Sequence, residues 1–179
     1  MPFETIHSEK KYHGKAFDVR RDQVRFPDGQ VVHLDIVEHV GAVTLIPLDD
    51  LGRIWFVRQY RHATGKILLE LPAGTIEPNE LPEECARREI REETGMACQQ
   101  LQKVGEFYLA PGYSTEYMHV YLATGLYPDP LPGDTDEYLS IEKIPLSQAY
   151  QMANNGEIQD AKSLVGLFFL RSKDYTAGS

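Results

Sequence analysis

The sequence predicts an α/β domain in which a sheet has one helix inserted between its strands and a pair of helices at its end. Three observations predict this class. Alternating or continuously apolar runs, which are typical of strands, lie on both sides of a helix-forming stretch in the middle of the chain. Two more helical segments follow the last predicted strand. The length of 179 residues suits one compact domain, or one domain with a small appendage.

The N-terminal region predicts an antiparallel hairpin. Residues 16–38 alternate in the manner of strands on either side of Pro27-Asp28-Gly29, which has the composition of a turn. A lone hairpin is marginally stable in water. We therefore expect it to pair with the main domain or with a second copy of the chain. This divides the protein into an extension of residues 1–38 and a main domain of residues 39–179.

Three segments before the central helix also predict strands. Residues 41–48 form an apolar run typical of a buried strand, and residues 53–61 are predicted to return as its hairpin partner after the turn at 49–52. Residues 68–74 form a short strand that leads towards the helix. Arg58 and Arg61 close the second of these strands. They are either ordinary surface charges or anion-binding groups, since guanidinium forks match phosphate oxygens.

The stretch from Gly74 to Met96 carries most of the chemistry, and it reads GTIEPNELPEECARREIREETGM. Helices tolerate proline in their first turn and commonly end at glycine. We therefore predict a loop from Gly74 to about Glu80 and a helix that begins near Pro82 and ends before Gly95.

Three carboxylates share one face of this predicted helix, at positions i, i+3 and i+4: Glu89, Glu92 and Glu93. That face overlaps Cys85 and Ala86, so the acids lie towards the protein while the arginines point more towards water. Crowded, partly desolvated carboxylates repel one another. Arg88 can pair with one acid but cannot neutralise three, whereas Mg²⁺ or Mn²⁺ could. The alternative is a charged surface helix with i,i+4 ion pairs.

The remainder of the chain predicts two strands, at 104–110 and 116–123, joined by a Pro-Gly turn. Acidic residues cluster at 134–137, before another strand. A helix is predicted to begin at Ser147 as N-cap and to end at Gly156. The last helix runs from about Asp160 to Arg171, and its apolar residues are expected to pack on the sheet: Leu164, Leu167, Phe168 and Leu170.

Composition excludes several classes of function. The formal charge of −9 argues against nonspecific nucleic-acid binding. The N-terminal segment has no apolar core like that of a secretory signal, and no apolar run is long enough to span a bilayer. Two cysteines are too few for a disulfide framework. We therefore expect a cytoplasmic protein with no membrane partner.

The central stretch resembles the Nudix box. Gly74, Glu80, the run Arg88-Glu89-Ile90, the pair Glu92-Glu93 and Gly95 all stand at the spacing of that motif. The resemblance implies a Nudix hydrolase, with a mixed sheet sandwiched between helices, that cleaves a nucleoside diphosphate linked to another group. It also implies roles for the matching residues. Glu89, Glu92 and Glu93 would bind metal, with Glu93 central to catalysis. Arg88 would orient the acids, Glu80 would support the loop, and Gly74 would allow a tight turn.

Two flanking segments are similar to the ADP-ribose pyrophosphatase subgroup: Glu70-Leu71-Pro72-Ala73-Gly74, and the Ala110-Pro111-Gly112 turn followed by Ser114 and Glu116. The similarity implies that the Ala73 carbonyl helps to bind metal and that Glu137, or alternatively Asp136, acts as the catalytic base. It also implies a homodimer formed through the N-terminal strands. The implied substrate-binding residues are Arg58, Arg61, Glu70, Gly112 and Ser114.

The leading functional hypothesis is Mg²⁺- or Mn²⁺-dependent hydrolysis of ADP-ribose to AMP and ribose 5-phosphate. A second hypothesis keeps the chemistry but changes the substrate to another nucleoside diphosphate derivative: a sugar nucleotide, a dinucleotide or an oxidised nucleotide. A third is a sensor that binds ADP-ribose without hydrolysing it. The intact box favours the enzymatic hypotheses.

Overall fold

The computed structural model describes residues 2–133 and 138–172. The chain divides into two compact units. The first contains residues up to Gly41 together with Phe107–Tyr117, and the second contains Ala42–Glu106 and the residues from Met118 onward. The strands are β1 (Glu4–His13), β2 (Asp18–Arg25), β3 (Val31–Glu38), β4 (Ala42–Pro47), β5 (Arg53–Arg61), β6 (Lys66–Glu70), β7 (Ala73–Thr75), β8 (Met96–Tyr108), β9 (Tyr117–Pro128) and β10 (Leu139–Pro145). The helices are α1 (Pro82–Thr94), α2 (Leu146–Asn154) and α3 (Ala161–Ser172).

The first unit contains an antiparallel sheet with the strand order β1-β2-β3. Strands β2 and β3 form the predicted hairpin, whose turn contains Gly29 at φ 91°. The other neighbour of β2 is β1, a strand of the same chain that the sequence analysis did not predict. The sequence of β1, ETIHSEKKYH, is mostly polar and lacks the apolar alternation that marks a strand, and all ten of its residues are exposed. Ion pairs such as Arg25–Glu4 and Lys10–Asp18 join it to β2 instead.

The second unit contains two sheets. One is mixed, with the order β7-β4-β9-β8 and a parallel pairing of β4 with β9, and the other has the order β10-β5-β6. The strands at 42–47 and 53–61 are confirmed, but their pairing as a hairpin is wrong, because β5 pairs with β10 and β6. Both edges of the buried strand β4 are already occupied by β7 and β9. A single bridge between Leu48 and Ile54 is what remains of the expected hairpin.

The segment before the central helix forms two strands rather than the one predicted. Strand β6 ends at Glu70 in one sheet, and β7 begins at Ala73 in the other. Leu71 and Pro72 connect them, and Pro72 has no N–H to donate to a ladder. Its carbonyl oxygen accepts a hydrogen bond from the Leu45 N–H at 2.8 Å. This crossing carries the chain from the β5–β6 pair to the N-terminus of the box loop.

Helix α1 has the predicted bounds, and Gly95 ends it in the left-handed conformation at φ 70°. Its apolar face packs into a core cluster with strands β4, β8 and β9; the helix contributes Cys85, Ala86 and Ile90. Both cysteines are buried free thiols. These contacts fix the rotation of the helix, and they therefore fix the direction in which its acids point.

Two details of the C-terminal helices differ from prediction. Helix α2 begins at Leu146 with Pro145 as the preceding residue, so Ser147 is inside the first turn and does not cap it. On α3, Phe168 is 66% exposed, whereas Leu167 and Leu170 are buried as predicted. Gly166 brings α3 close to the connection between β6 and β7, because a Cβ there would lie 2.7 Å from Leu71 Cδ1. Among the helices of the described residues, none has the length and apolar composition needed to cross a bilayer.

Candidate active site

The site is built where β7 runs beside helix α1. A Cβ atom at Gly74 would stand 1.8 Å from both the Cδ and Oε1 atoms of Glu89, a distance that no side chain can tolerate. The Glu89 carboxylate therefore lies directly against the backbone of β7, in space that exists because residue 74 is glycine. Glycine is required here for close approach, since its φ is not in the left-handed region.

Glu89 and Glu93 are buried at this contact, with 8% and 7% of their surfaces exposed. The backbone N–H of Ala73 donates a hydrogen bond of 3.0 Å to Glu93 Oε2. Glu92, the third acid of the face, is partly buried. The 3.6-residue helical period thus places the acids towards the protein, next to the Ala73-Gly74 peptide.

Arg88 lies among these acids instead of pointing to solvent. Its Nε and Nη2 atoms donate to the two oxygens of Glu80 at 2.8 and 2.9 Å. Its Nη1 atom donates to Glu89 Oε1 at 2.6 Å and to Glu92 Oε2 at 2.8 Å. Nη2 also reaches the Thr75 carbonyl at 3.2 Å. One guanidinium therefore ties the box loop, strand β7 and the acidic face of α1 together.

The donor set at this face fits a hard divalent cation. Arg88 is the single positive charge paired with Glu80, Glu89 and Glu92, so an excess of negative charge remains. All the candidate metal-binding atoms are oxygens, which a hard cation prefers. Among the described residues, no three acidic, histidine or cysteine side chains are already arranged as metal ligands. Glu89 and Glu92 accept hydrogen bonds from Arg88 instead. The carboxylate oxygens are suitable ligands for a metal ion, and in the present rotamers they accept hydrogen bonds from Arg88.

The hydrogen bonds from Arg88 lower the pKa of Glu80 to about 2, against the opposing effect of burial. An ordinary glutamate in the unfolded chain titrates near 4.5. The stabilisation by charged Glu80 should therefore be complete above about pH 5 and should disappear as the pH falls towards 2.

We expect Glu80→Gln to lower the free energy of unfolding by about 2 to 3 kcal/mol at pH 7 and by much less at pH 2 to 3. Urea unfolding of both proteins across this range measures the difference. Glu77→Gln, which changes an exposed acid of the same loop, is the matched control and should give a curve parallel to that of the wild type. Parallel curves for Glu80→Gln as well would contradict the assignment.

A second polar network involves the end of β5. Arg61 donates two parallel hydrogen bonds to Glu70, at 2.9 and 2.8 Å, and Lys162 on α3 donates to the same carboxylate. Glu70 is 1% exposed; burial alone would raise its pKa, but these two cations lower it. The hydrogen bonds to Glu70 raise the pKa of Arg61, and the charge of Glu93 adds to this effect. Arg61 therefore lies within electrostatic reach of the acidic face.

The other predicted site residues lie elsewhere. Arg58 points to the opposite side of β5 from Arg61, because the two are an odd number of residues apart, and it pairs with Glu142 at 2.5 Å. Gly112 and Ser114 lie in the first unit, where Ser114 bridges to Val37. Two further predicted residues lie outside the described part of the chain: Glu137 and Asp136.

Sequence reasoning missed Lys162 and its neighbours Asp160 and Ser163. Asp160 accepts hydrogen bonds from the Ser163 N–H at 3.0 Å and from Ser163 Oγ at 2.5 Å, which is a helix cap. The Asp-x-x-Ser spacing at the start of the last helix was a readable signal for that cap. Nothing in the sequence signalled that Lys162 would reach Glu70, a residue 92 positions earlier.

The fold is mixed α/β, and it presents buried carboxylates beside Gly74 of β7, with an arginine at the end of β5 in the other sheet of the same unit. This arrangement is typical of a hydrolase site for a phosphorylated substrate. Residues 38–165 match the family model of the NUDIX domain, and the chain belongs to this family. The predicted membership and fold class are therefore confirmed. Enzymes of this family generally require divalent cations.

Similar proteins have related activities. The ADP-ribose pyrophosphatase of Bacillus subtilis (strain 168) is 34% identical over 173 residues, which are 96% of this chain and 94% of that protein. The ADP-ribose pyrophosphatase of Mycobacterium tuberculosis (strain ATCC 25618 / H37Rv) is 41% identical over 168 residues, or 92% and 81% of the two chains. A crystal structure of an ADP compounds hydrolase matches with a TM-score of 0.86 at 25% identity, covering 97% of this chain and 94% of that one.

Proposed function

We propose that this protein hydrolyses the diphosphate of ADP-ribose to give AMP and ribose 5-phosphate, with Mg²⁺ or Mn²⁺ as cofactor. The observation that carries the proposal is the pair of buried carboxylates, Glu89 and Glu93, held against the Ala73-Gly74 peptide. Similarity to two ADP-ribose pyrophosphatases over most of their length supports the choice of substrate.

Glu89, Glu92, Glu93 and the Ala73 carbonyl would hold the cation. When bound, it would neutralise the diphosphate and lower the pKa of a water molecule. Side chains of the protein supply the other functions of the site. Arg88 holds Glu89 and Glu92 in place through its bond to Glu80. A carboxylate, which we assign to Glu137 with Asp136 as the alternative, takes the proton from the attacking water.

Arg61 is proposed to bind the diphosphate, because the charge of Glu93 acts on its guanidinium, which is the most exposed member of its network. A guanidinium donates from several N–H groups at once, so Arg61 can keep its bonds to Glu70 while it binds a phosphate oxygen. Glu70 then orients the arginine. Arg58, Gly112 and Ser114 remain proposed substrate contacts on the basis of family resemblance.

Arg61→Met should raise KM for ADP-ribose by at least about tenfold, since a charged hydrogen bond of this kind contributes about 1.5 to 3 kcal/mol. Arg58→Met should have a smaller effect, because Arg58 faces away from Glu70 and pairs with Glu142. Steady-state kinetics of the two variants measure the contrast. Equal increases in KM would show that Arg58 is as important as Arg61.

The proposed reaction is tested by incubating the purified protein with ADP-ribose and Mg²⁺ or Mn²⁺ and quantifying AMP, with and without EDTA. GDP-mannose and diadenosine compounds in parallel distinguish the alternative substrates. We expect ADP-ribose to have the highest kcat/KM and EDTA to abolish turnover. Tight binding of ADP-ribose without product would instead identify a sensor, and a faster reaction with another substrate would overturn the specificity.

We also propose a homodimer formed through the N-terminal extension, with residues 1–38 as the dimerising part and 39–179 as the Nudix domain. The support comes from the first unit itself, which exposes large apolar side chains: Phe3, Tyr12, Phe17, Val31, Leu34 and Val40. Light scattering after gel filtration should give twice the mass of the chain. The two buried free cysteines support the proposed cytoplasmic location.

A further inference from the structure

The first residues of α3 are connected to the strand that precedes the box. Lys162 Nζ donates to Glu70 Oε2 and also to Asp160 Oδ2 at 3.0 Å. The Leu71 N–H donates to Ser163 Oγ at 2.7 Å. Two consecutive residues, Glu70 and Leu71, are therefore fixed by the cap of a helix from the far end of the chain. Ala73, which donates to Glu93, follows two residues later.

Side-chain exposure increases from Glu70 through Lys162 to Arg61 in this network. The side chain of Glu70 is 2% exposed and that of Lys162 is 12% exposed, whereas the side chain of Arg61 is 39% exposed. Arg61 is thus the solvent-facing end of a chain of charges whose inner members cannot rearrange without leaving a buried charge unpaired. Breaking a buried pair on one side is costly, so the inner members hold the outer one in a single orientation.

The arrangement of charges decides what Lys162 contributes to this network. Glu70 paired with Arg61 alone would cancel most of the field of the guanidinium. Lys162 shares Glu70 Oε2 with Arg61, so two cations divide one carboxylate. The partner acid of Lys162, Asp160, is engaged by the first turn of α3. The two cations and two carboxylates balance in charge, and Asp160 also acts on Arg61. What Lys162 adds is a second hold on Glu70, the carboxylate that orients the exposed guanidinium of Arg61.

We propose that Lys162 is a positioning residue for the hydrolytic reaction: by holding Glu70, it orients Arg61 towards the diphosphate. This inference rests on the proposed function for its substrate, and it assigns to α3 a part in substrate affinity that the box does not contain. The alternative is that Lys162 anchors the helix and affects stability only. The two roles predict different effects of a Lys162 substitution: only the positioning role predicts a higher KM, and only that role predicts an effect that disappears when Arg61 is also replaced.

The test compares three variants: Lys162→Met, Lys162→Arg, and the double variant that combines Lys162→Met with Arg61→Met. Lys103→Met, which changes an exposed lysine of β8 that pairs with Glu106, is the matched control. For Lys162→Met we expect KM for ADP-ribose to rise about tenfold with a smaller change in kcat, because the misplaced group binds substrate and does not react. Lys162→Arg should restore most of the affinity. In the Arg61→Met background, the Lys162→Met change should have little further effect on KM.

Calorimetry with inorganic pyrophosphate in EDTA provides a readout that does not depend on turnover. Wild type should bind pyrophosphate, and Arg61→Met and Lys162→Met should each weaken that binding without additivity. Unchanged affinity with a lower Tm in Lys162→Met, additive losses, or no binding by wild type would each overturn the inference. If Lys162→Met does not fold, Lys162→Gln is judged by the same criteria. Arg61-dependent pyrophosphate binding without hydrolysis of ADP-ribose would refute the proposed function, and of this inference it would leave only the positioning of Arg61 by Lys162.

Discussion

Glu93→Gln is expected to remove most hydrolysis of ADP-ribose while the fold remains intact. The amide oxygen of glutamine can still accept the hydrogen bond from the Ala73 N–H, so the contact between α1 and β7 survives. The negative charge that would hold a divalent cation is lost. We expect kcat/KM to fall at least about 100-fold, a size typical of removing a group that acts in the chemical step.

The control for this prediction is Glu83→Gln on the same helix. Glu83 is exposed and pairs with Arg87 at 3.0 Å on the side of α1 that faces solvent. Its activity should stay within about twofold of wild type, since exposed ion pairs contribute little. Kinetics together with thermal unfolding separate loss of function from loss of fold. A folded Glu93→Gln variant with near-normal turnover would remove Glu93 from the catalytic assignment.

Gly74→Ala is expected to reduce both activity and stability strongly. The added Cβ would overlap the Glu89 carboxylate, so either the acid or strand β7 must move. Glu89 is buried and bonded to Arg88, and β7 is held by its ladder with β4, so neither movement is easy. Overpacking of this kind typically costs about 1 to 3 kcal/mol, and displacement of Glu89 should reduce kcat/KM at least about 100-fold.

The double variant Gly74→Ala with Glu89→Ala identifies the cause. If the clash with Glu89 destabilises Gly74→Ala, shortening residue 89 should recover much of the lost Tm, although activity stays absent. Additive losses of stability in the double variant would show that the backbone conformation at residue 74, and not the clash with Glu89, requires glycine. Gly166→Ala is a useful comparison, because its Cβ would meet the flexible end of Leu71 and affect stability without touching the acids.

The acidic face could be predicted because it depends on local spacing, whereas Gly74 was expected to allow a tight turn and instead allows the close approach of Glu89. Residues three and four apart on a helix share a face whatever surrounds them, so Glu89 and Glu93 had to lie beside Cys85 and Ala86. The same periodicity placed the start of α1 near Pro82 and its end at Gly95. Burial of that face then followed from its apolar neighbours.

The orientation of the arginines was less accessible to sequence reasoning. Helix periodicity placed Arg88 nearer to water, whereas the box resemblance implied that it orients the acids. It lies among them, and Glu80 on the box loop is its bidentate partner. Arg58 and Arg61 were grouped as one anion site, yet strand alternation places them on opposite sides of β5. Their partners, Glu142 and Glu70, lie on different neighbouring strands.

By itself, the sequence determined which residues belong to one helix face and where that helix begins and ends, since both follow from contacts a few residues apart. Only the tertiary structure decided that β5 joins β10 and β6, that the polar segment β1 is a strand, and that Lys162 reaches Glu70. Such pairings are chosen by competition among all available strand edges and charges. That competition depends on distant segments, and no local pattern records its outcome.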